Sequence, residues 1–347
     1  MQSKRLSTWF GRLDRIWREP GFRALCVYTG VIVLATAPTW DVYLWWGHTM
    51  LFPAVHVSEI CKLWRADGFG QVAWCSDYCF GYGYPYFCLY GPLGFYVGAL
   101  YHFVLGLDFG NAAKLSFYTS LYLSGALMYA FAYLIGRREG WPRTPWWALA
   151  AATIYALTRY HFTDLFVRSA LGECWAWTML PGVFWGMELT RRDALRGSLV
   201  VSAAYAGLLL SHNITALWGS IFIAAYVPLT ARNLRWPAAV AASGVLGTAL
   251  AAFFWYPALT LSKLTRHAGD VMTMWGSPQQ IHTHAIYWQQ HFMENLGYGN
   301  SIAGPDDSLG INLGFAVLIG TCLSVIGVFR PGLTSYQRRR VASLPVS

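Results

Sequence analysis

The side chains able to do chemistry gather in four short stretches. His56 and Glu59 lie three residues apart, which places both on one face of a helix. Such a pair can hold a divalent cation or position a hydroxyl, and it can equally be the wet face of an interfacial helix. The run from Trp74 to Pro85 contains Asp77, then Gly81 and Gly83 interleaved with Tyr82 and Tyr84. Glycines permit unusual backbone angles there, and the tyrosines suit the headgroup level of a membrane, as an aromatic belt or as a hold on a lipid-linked ligand. The densest charge is Arg159, His161, Asp164, Arg168 and Glu173. His161, Asp164 and Arg168 fall at i, i+3 and i+7, hence on one helical face, and Asp164 to Arg168 is a favourable i,i+4 order. A carboxylate beside an Arg and a His could act as general base while the cations stabilise a phosphate leaving group. A structural salt bridge is the plainer use of the same residues. The fourth stretch, Ser211-His212-Asn213, is a polar turn between two apolar runs, either part of a site or a helix start, where Ser and Asn are favoured caps.

A membrane must position these groups. The 347 residues are 56% hydrophobic, 17% aromatic and only 12% charged, with a mean hydropathy of +0.36. Soluble domains carry about a quarter charged residues, so a water-soluble globule, a disordered chain and a collagen are excluded, and the net charge of +9 is no argument for nucleic acid. Apolar stretches run at roughly 22–39, 86–106, 114–136, 145–158, 174–190, 197–212, 214–231, 237–259 and 310–329, each near the ~20 residues that cross a bilayer. None shows the period-2 alternation of a β-barrel. The expected fold class is therefore all-α: a polytopic transmembrane helical bundle of about 8 spans plus one re-entrant or interfacial helix. That last element is 86–106, which Gly91-Pro92, Gly94 and Gly98 interrupt; non-helical backbone at membrane depth survives only under cover of protein or a wet cavity.

Charge sets the expected orientation. With both termini cytoplasmic, the inner side holds 18 Lys or Arg against 5 acids, and the outer side 7 against 11, with all 9 histidines. The excess positive charge is thus a topology signal, and the titratable groups collect outside. The expected organisation is a basic amphipathic leader at 1–21, a single transmembrane domain at 22–329 with outer loops 40–85 and 260–309, and a basic tail at 330–347. Over twenty residues with several Lys or Arg precede the first apolar run, which fits a retained span better than a signal peptide.

Three motifs in order resemble a known family: Phe80-Gly81-Tyr82-Gly83-Tyr84-Pro85 after Trp74 and Asp77, then Phe166-Val167-Arg168-Ser169-Ala170-Leu171-Gly172-Glu173, then Ser211-His212-Asn213-Ile214-Thr215-Ala216. Across about 40–330 the chain resembles the bacterial membrane proteins labelled 6-pyruvoyl-tetrahydropterin synthase-related, a historical label that implies no pterin chemistry. That family is similar to the GT-C glycosyltransferases, which take a sugar from a polyprenyl-phosphate donor at the outer membrane face. The resemblance implies a GT-C-like bundle in a bacterial cytoplasmic (inner) membrane, with a lipid-linked sugar donor and membrane lipids as partners. Where the family usually has an Asp a few residues before the position of His56, this chain reads Thr49-Met50-Leu51-Phe52.

The expected catalytic groups are Asp77 or Glu59 as base or cation ligand, with Asp164 and Glu173 orienting the cations or acting as base. Arg168 and His212 would meet the phosphate, Asn213 the sugar, and His56, Tyr82 and Tyr84 the lipid-linked ligand. The competing expectation is a non-catalytic protein that binds or transports a lipid by its headgroup. The cofactor is left open, a divalent cation being possible; His282, His284, His291 and Glu294 have zinc-ligand spacing, but the aromatic residues around them favour an interfacial helix. Cys75 and Cys79 could pair or stay reduced.

Overall fold

The computed structural model describes residues 19–231 and 233–261, then 264, 287–292, 297–299, 302, 304, 309–310, 312 and 314–328. The N-terminal leader up to residue 18, the basic tail and the histidine cluster apart from His291 lie outside the described residues.

Those residues are helical, with isolated bridges only at Cys75–Tyr84 and Tyr298–Leu309. Helix α1 (Pro20–Thr36) starts at a proline, whose missing N–H costs nothing in the first turn. A loop leads to α2 (Leu51–Asp67), which ends at Gly68 with φ 85°. A single turn at Tyr86–Leu89 precedes α3 (Leu93–Leu105), and the Gly91-Pro92 break separates them. Then come α4 (Phe109–Arg138), α5 (Thr144–Ala156), α6 (Leu171–Leu189), α7 (Ala194–Leu209), α8 (Asn213–Thr230), α9 (Arg235–Leu250), α10 (Ala252–Leu261) and α11 (Phe315–Val328). Asp108 caps α4 by accepting from Asn111 N at 3.0 Å, and Asp193 caps α7 by accepting from Arg196 N at 3.0 Å.

Three described stretches are long and apolar enough to cross a membrane: Pro20–Thr39, Phe109–Arg138 and Asn213–Thr230. A fourth would be the α9–α10 pair, bent by 66°. The expected spans at 145–158 and 310–329 shorten to helices of 13 and 14 residues, about 20 Å of rise against a hydrocarbon core of ~30 Å. The single expected span at 237–259 is the bent pair. Segment 86–106 is broken at Gly91-Pro92 as expected, whereas Gly94 and Gly98 lie inside the continuous helix α3.

Helix α6 is the axis of the bundle, packed chiefly between α4 and α7. Its first half joins Phe117, Leu121, Leu171 and Trp175 in one apolar core, and its second half joins Phe131, Val183, Phe184, Met187 and Val201 in another. Gly186 lets α7 approach, since a Cβ there would lie 2.7 Å from Val201 N. Both ends of α6 carry acids, Glu173 in the first turn and Glu188 in the last, and each collects arginine.

All seven cysteines are unpaired; Cys75 is buried while Cys79 is exposed. In intact cells a membrane-impermeant maleimide should therefore modify Cys79 if the 40–85 loop faces outward. Modification only after the membrane is opened would reverse the orientation expected from charge.

Candidate functional site

Between α5 and α6 a turn of helix at Arg159–Phe162 widens into a π-turn at Thr163–Arg168, an uncommon geometry found frequently at functional sites. The turn ends at Ser169, whose φ is 54°, and Ala170 N closes it by donating to Asp164 O at 2.9 Å. The loop ahead of α2 clamps this turn. His48 N donates to Val167 O at 2.7 Å, Thr49 Oγ1 to Arg168 O at 2.7 Å, and Trp45 Nε1 to Ser169 Oγ at 3.2 Å. At Gly47 any Cβ would collide with Ser169 Oγ, so glycine is required at this approach. From the other side, buried Lys114 holds the loop by donating to Val42 O at 2.6 Å and Trp40 O at 3.3 Å.

The π-turn delivers Arg168 to two carboxylates. Arg168 Nη1 donates to Asp164, to Glu173 Oε2 at 2.6 Å and to Tyr160 OH at 2.9 Å. Tyr160 OH in turn donates to Glu173 Oε1 at 3.0 Å, and Trp177 Nε1 to Asp164 Oδ2 at 3.0 Å. Asp164 is completely buried, whereas the Arg168 side chain is 32% exposed. Burial pushes the Asp164 carboxyl well above the usual range, Glu173 adds to this, and Arg168 opposes it. The cluster therefore keeps a proton on Asp164 to higher pH than a free Asp would. All three hydrogen bonds of the guanidinium leave from Nη1, so Nε and Nη2 have no partner among the described residues.

Beside this cluster lies a cavity of about 560 Å³ lined by Thr49, Phe52, His56, Tyr86, Tyr90 and Ser169, among others. Its walls are mostly aromatic and aliphatic. The His56 ring packs 4.1 Å from Tyr86, Tyr86 stacks on Tyr90 at 5.3 Å, and Tyr90 meets the His212 ring edge-on at 6.5 Å. This aromatic row runs from one wall of the cavity to the start of α6, where a Cβ on Gly172, the neighbour of Glu173, would lie 3.4 Å from Tyr90 and 2.7 Å from Ser211 O. His212 caps α8: its Nδ1 accepts from Thr215 N at 3.4 Å and lies 2.9 Å from Thr215 Oγ1, an arrangement that suits the tautomer with its proton on Nε2. The sequence favoured Ser211 or Asn213 as the cap.

In comparisons with known proteins, no family model and no curated protein matches this chain. The site is therefore read from its own geometry. Asp164, Arg168 and Glu173 converge on one another; His212 packs against Tyr90, and His56 and Tyr90 line the cavity, whose wall reaches the cluster's neighbours Ser169 and Leu171. The other expected residues do not join. Asp77 is exposed and pairs with Lys62 at 2.5 Å, while buried Glu59 accepts from Asp77 N at 3.4 Å, so the two form a separate pair under the loop. Tyr82 is 87% exposed, Tyr84 pairs through its backbone with Cys75, and neither lines the cavity. Asn213 donates to Leu89 O at 3.2 Å and so holds the turn before α3.

His161, expected on the same face as Asp164 and Arg168, is separated by the change from α- to π-geometry and packs between Tyr155 and Trp177. Among the described residues no group of three or more His, Cys, Asp or Glu could hold a metal ion. Sequence reasoning missed Tyr90, Tyr160, Thr49 and Trp177. The spacing of Tyr86 and Tyr90 at i,i+4 was a legible signal for the first; the others meet the cluster through the tertiary fold.

Burial lowers both His56 and His161 to about 4. An unfolded chain binds these protons near pH 6.5 and the native protein does not. Stability contributed by the neutral rings is thus complete above pH 6.5 and falls as pH drops towards 4, by roughly 3 kcal/mol per histidine across the window. Melting temperature should decline from pH 6.5 to 4.5, and His161→Phe should flatten that decline. An unchanged slope in the variant would show that His161 titrates normally.

Proposed function

We propose that the protein is an integral membrane protein that binds a lipid-linked phosphate of the polyprenyl-phosphate class, its tail in the aromatic cavity and its phosphate at Arg168 and His212. The observation that carries this reading is the juxtaposition of an apolar cavity of about 560 Å³, room for the isoprene units next to the phosphate, with a half-committed arginine. Arg168 is fixed through Nη1 alone, leaving Nε and Nη2 as donors in the forked geometry that suits phosphate. His212 adds a neutral Nε2–H, since burial lowers its affinity for a second proton. Aromatic walls with a few convergent polar groups are the usual form of such a site.

A second reading makes this binding step part of catalysis, as a GT-C-type glycosyltransferase. The specific observation in its favour is Glu173, a buried carboxylate held by Arg168 at 2.6 Å and Tyr160 at 3.0 Å, two residues from the cavity wall at Leu171. Glu173 would be the base for an acceptor hydroxyl, with Arg168 and His212 on the leaving phosphate. The order of a long apolar helix, then α2 and α3, then a second long apolar helix also suits the GT-C resemblance.

The test is binding of undecaprenyl phosphate by detergent-purified protein, with His212→Ala and Arg168→Lys as variants. Wild type should bind, and each variant should weaken binding about tenfold, the scale of one charge-assisted hydrogen bond. Equal binding by all three would overturn the assignment. Sugar release from polyprenyl-phosphate donors, abolished by Glu173→Gln, would add the catalytic step. Binding without release by wild type would leave the carrier reading alone.

A further inference from the structure

The opposite end of α6 holds a second charged site. Glu188 lies fifteen positions after Glu173, about 22 Å along the helix. Its carboxylate accepts from Arg138, from Arg191 Nε at 3.3 Å and from Tyr226 OH at 2.7 Å. Arg191 also lies over the Trp236 ring at 3.6 Å and donates to Thr230 O at 3.1 Å. The ends of α4, α6 and α8 and the starts of α7 and α9 thus meet around one glutamate.

A cavity of about 480 Å³ opens beside this cluster, lined by Arg138, Arg191, Arg192 and Arg235 against Glu188 alone. Glu139 pairs with Arg138 Nε at 3.0 Å, which still leaves the site two positive charges in excess. Arg192 and Arg235 are exposed and have no carboxylate partner among the described residues. Arg138 Nη2 is buried with no hydrogen-bond partner, and an unmet buried donor costs about 1–3 kcal/mol. Asn233, also in the lining, accepts through Oδ1 from the N–H of Arg235 and Trp236 at 3.0 and 3.1 Å, which turns its amide N–H₂ outward as a further donor.

We infer that this cavity is an anion site that takes a phosphate group, the headgroup phosphate of an anionic phospholipid or a free phosphate. Four guanidinium groups give forked donors matched to phosphate oxygens. An oxygen in the cavity would satisfy Arg138 Nη2. Basic pockets between membrane helices are the general form of anionic headgroup sites. The site is independent of the Arg168 cavity, which lies at the other end of α6.

The experiment uses detergent-purified full-length protein, the double variant Arg192→Gln/Arg235→Gln, and Arg196→Gln as a control for net charge. Arg196 is exposed, pairs with Asp193 and lies outside the cavity lining. Phosphatidylglycerol and phosphatidylcholine retention is read by native mass spectrometry, and inorganic phosphate binding by thermal shift. Wild type should retain phosphatidylglycerol over phosphatidylcholine, and the double variant should lose about tenfold of that preference, at the scale of one to two surface arginines. That result assigns a lipid headgroup. Stabilisation by inorganic phosphate in wild type but not in the double variant, without a lipid preference, assigns a free phosphate. Failure of both ligands to separate wild type from the double variant would overturn the site, as would an equal loss in Arg196→Gln. Arg168→Lys should leave this binding unchanged, so its failure and the failure of the undecaprenyl phosphate site are distinguishable.

Discussion

Arg168→Ala should lower the stability of the detergent-solubilised protein by about 3–5 kcal/mol, the scale for removing one partner from a buried ionic group, and abolish binding of a lipid phosphate. The substitution leaves Asp164 and Glu173 facing each other with Tyr160 and Trp177 as their remaining donors. Asp164, completely buried, then has no cation to oppose its desolvation. The triple variant Arg168→Met/Asp164→Asn/Glu173→Gln separates structure from function. Its three replaced side chains carry no charge, the new asparagine can still accept from Trp177, and the new glutamine can still accept from Tyr160. Buried ionic groups replaced together by neutral residues of similar size are often close to neutral in stability. Thermal melting should thus recover most of the loss in the triple variant, while undecaprenyl phosphate binding stays absent. Binding by the triple variant would remove Arg168 from the ligand site.

Thr49→Trp should block the cavity. Thr49 lines it, and its hydroxyl donates to Arg168 O at 2.7 Å, so an indole at this position enters the space proposed for the tail. The lost hydrogen bond costs about 1 kcal/mol. Thr49→Val loses that bond without filling the cavity and serves as the control. Binding should fall more than about tenfold in Thr49→Trp, against about twofold or less in Thr49→Val, where only the neutral hydrogen bond to the Arg168 carbonyl changes. Equal affinities in the two variants would place the tail elsewhere.

How much of this arrangement was legible in the sequence depends on how local each contact is. The Asp164–Arg168 pair was readable because i,i+4 neighbours meet on any helix, and the π-turn kept them together. Glu173 followed closely enough to be drawn in. The apolar runs at 22–39, 114–136 and 214–231 became the three long apolar stretches, since composition and length decide a span without tertiary information. The catalytic expectation for Asp77 depended on the loop fold, and Lys62, fifteen residues earlier on α2, captures its carboxylate instead. Thr49 drew attention only as a missing acid; its role in clamping Arg168 rests on a contact across 119 positions. Arg138, Arg191, Arg192 and Arg235 read as topology signals because charge counting takes Glu188 as one of five inner acids and says nothing of which arginines it gathers. The lone acid three residues before Arg191, at the edge of an apolar run, was the available clue.

The proposed lipid-phosphate site is tested most directly by photo-crosslinking with a diazirine-bearing polyprenyl phosphate, followed by peptide mapping. Adducts should fall within 49–56, 86–90 and 169–171, the segments that wall the cavity, be competed away by undecaprenyl phosphate and be lost in Thr49→Trp. Adducts confined to the outer surfaces of α1, α8 and α9, unchanged by that substitution, would contradict the proposed site.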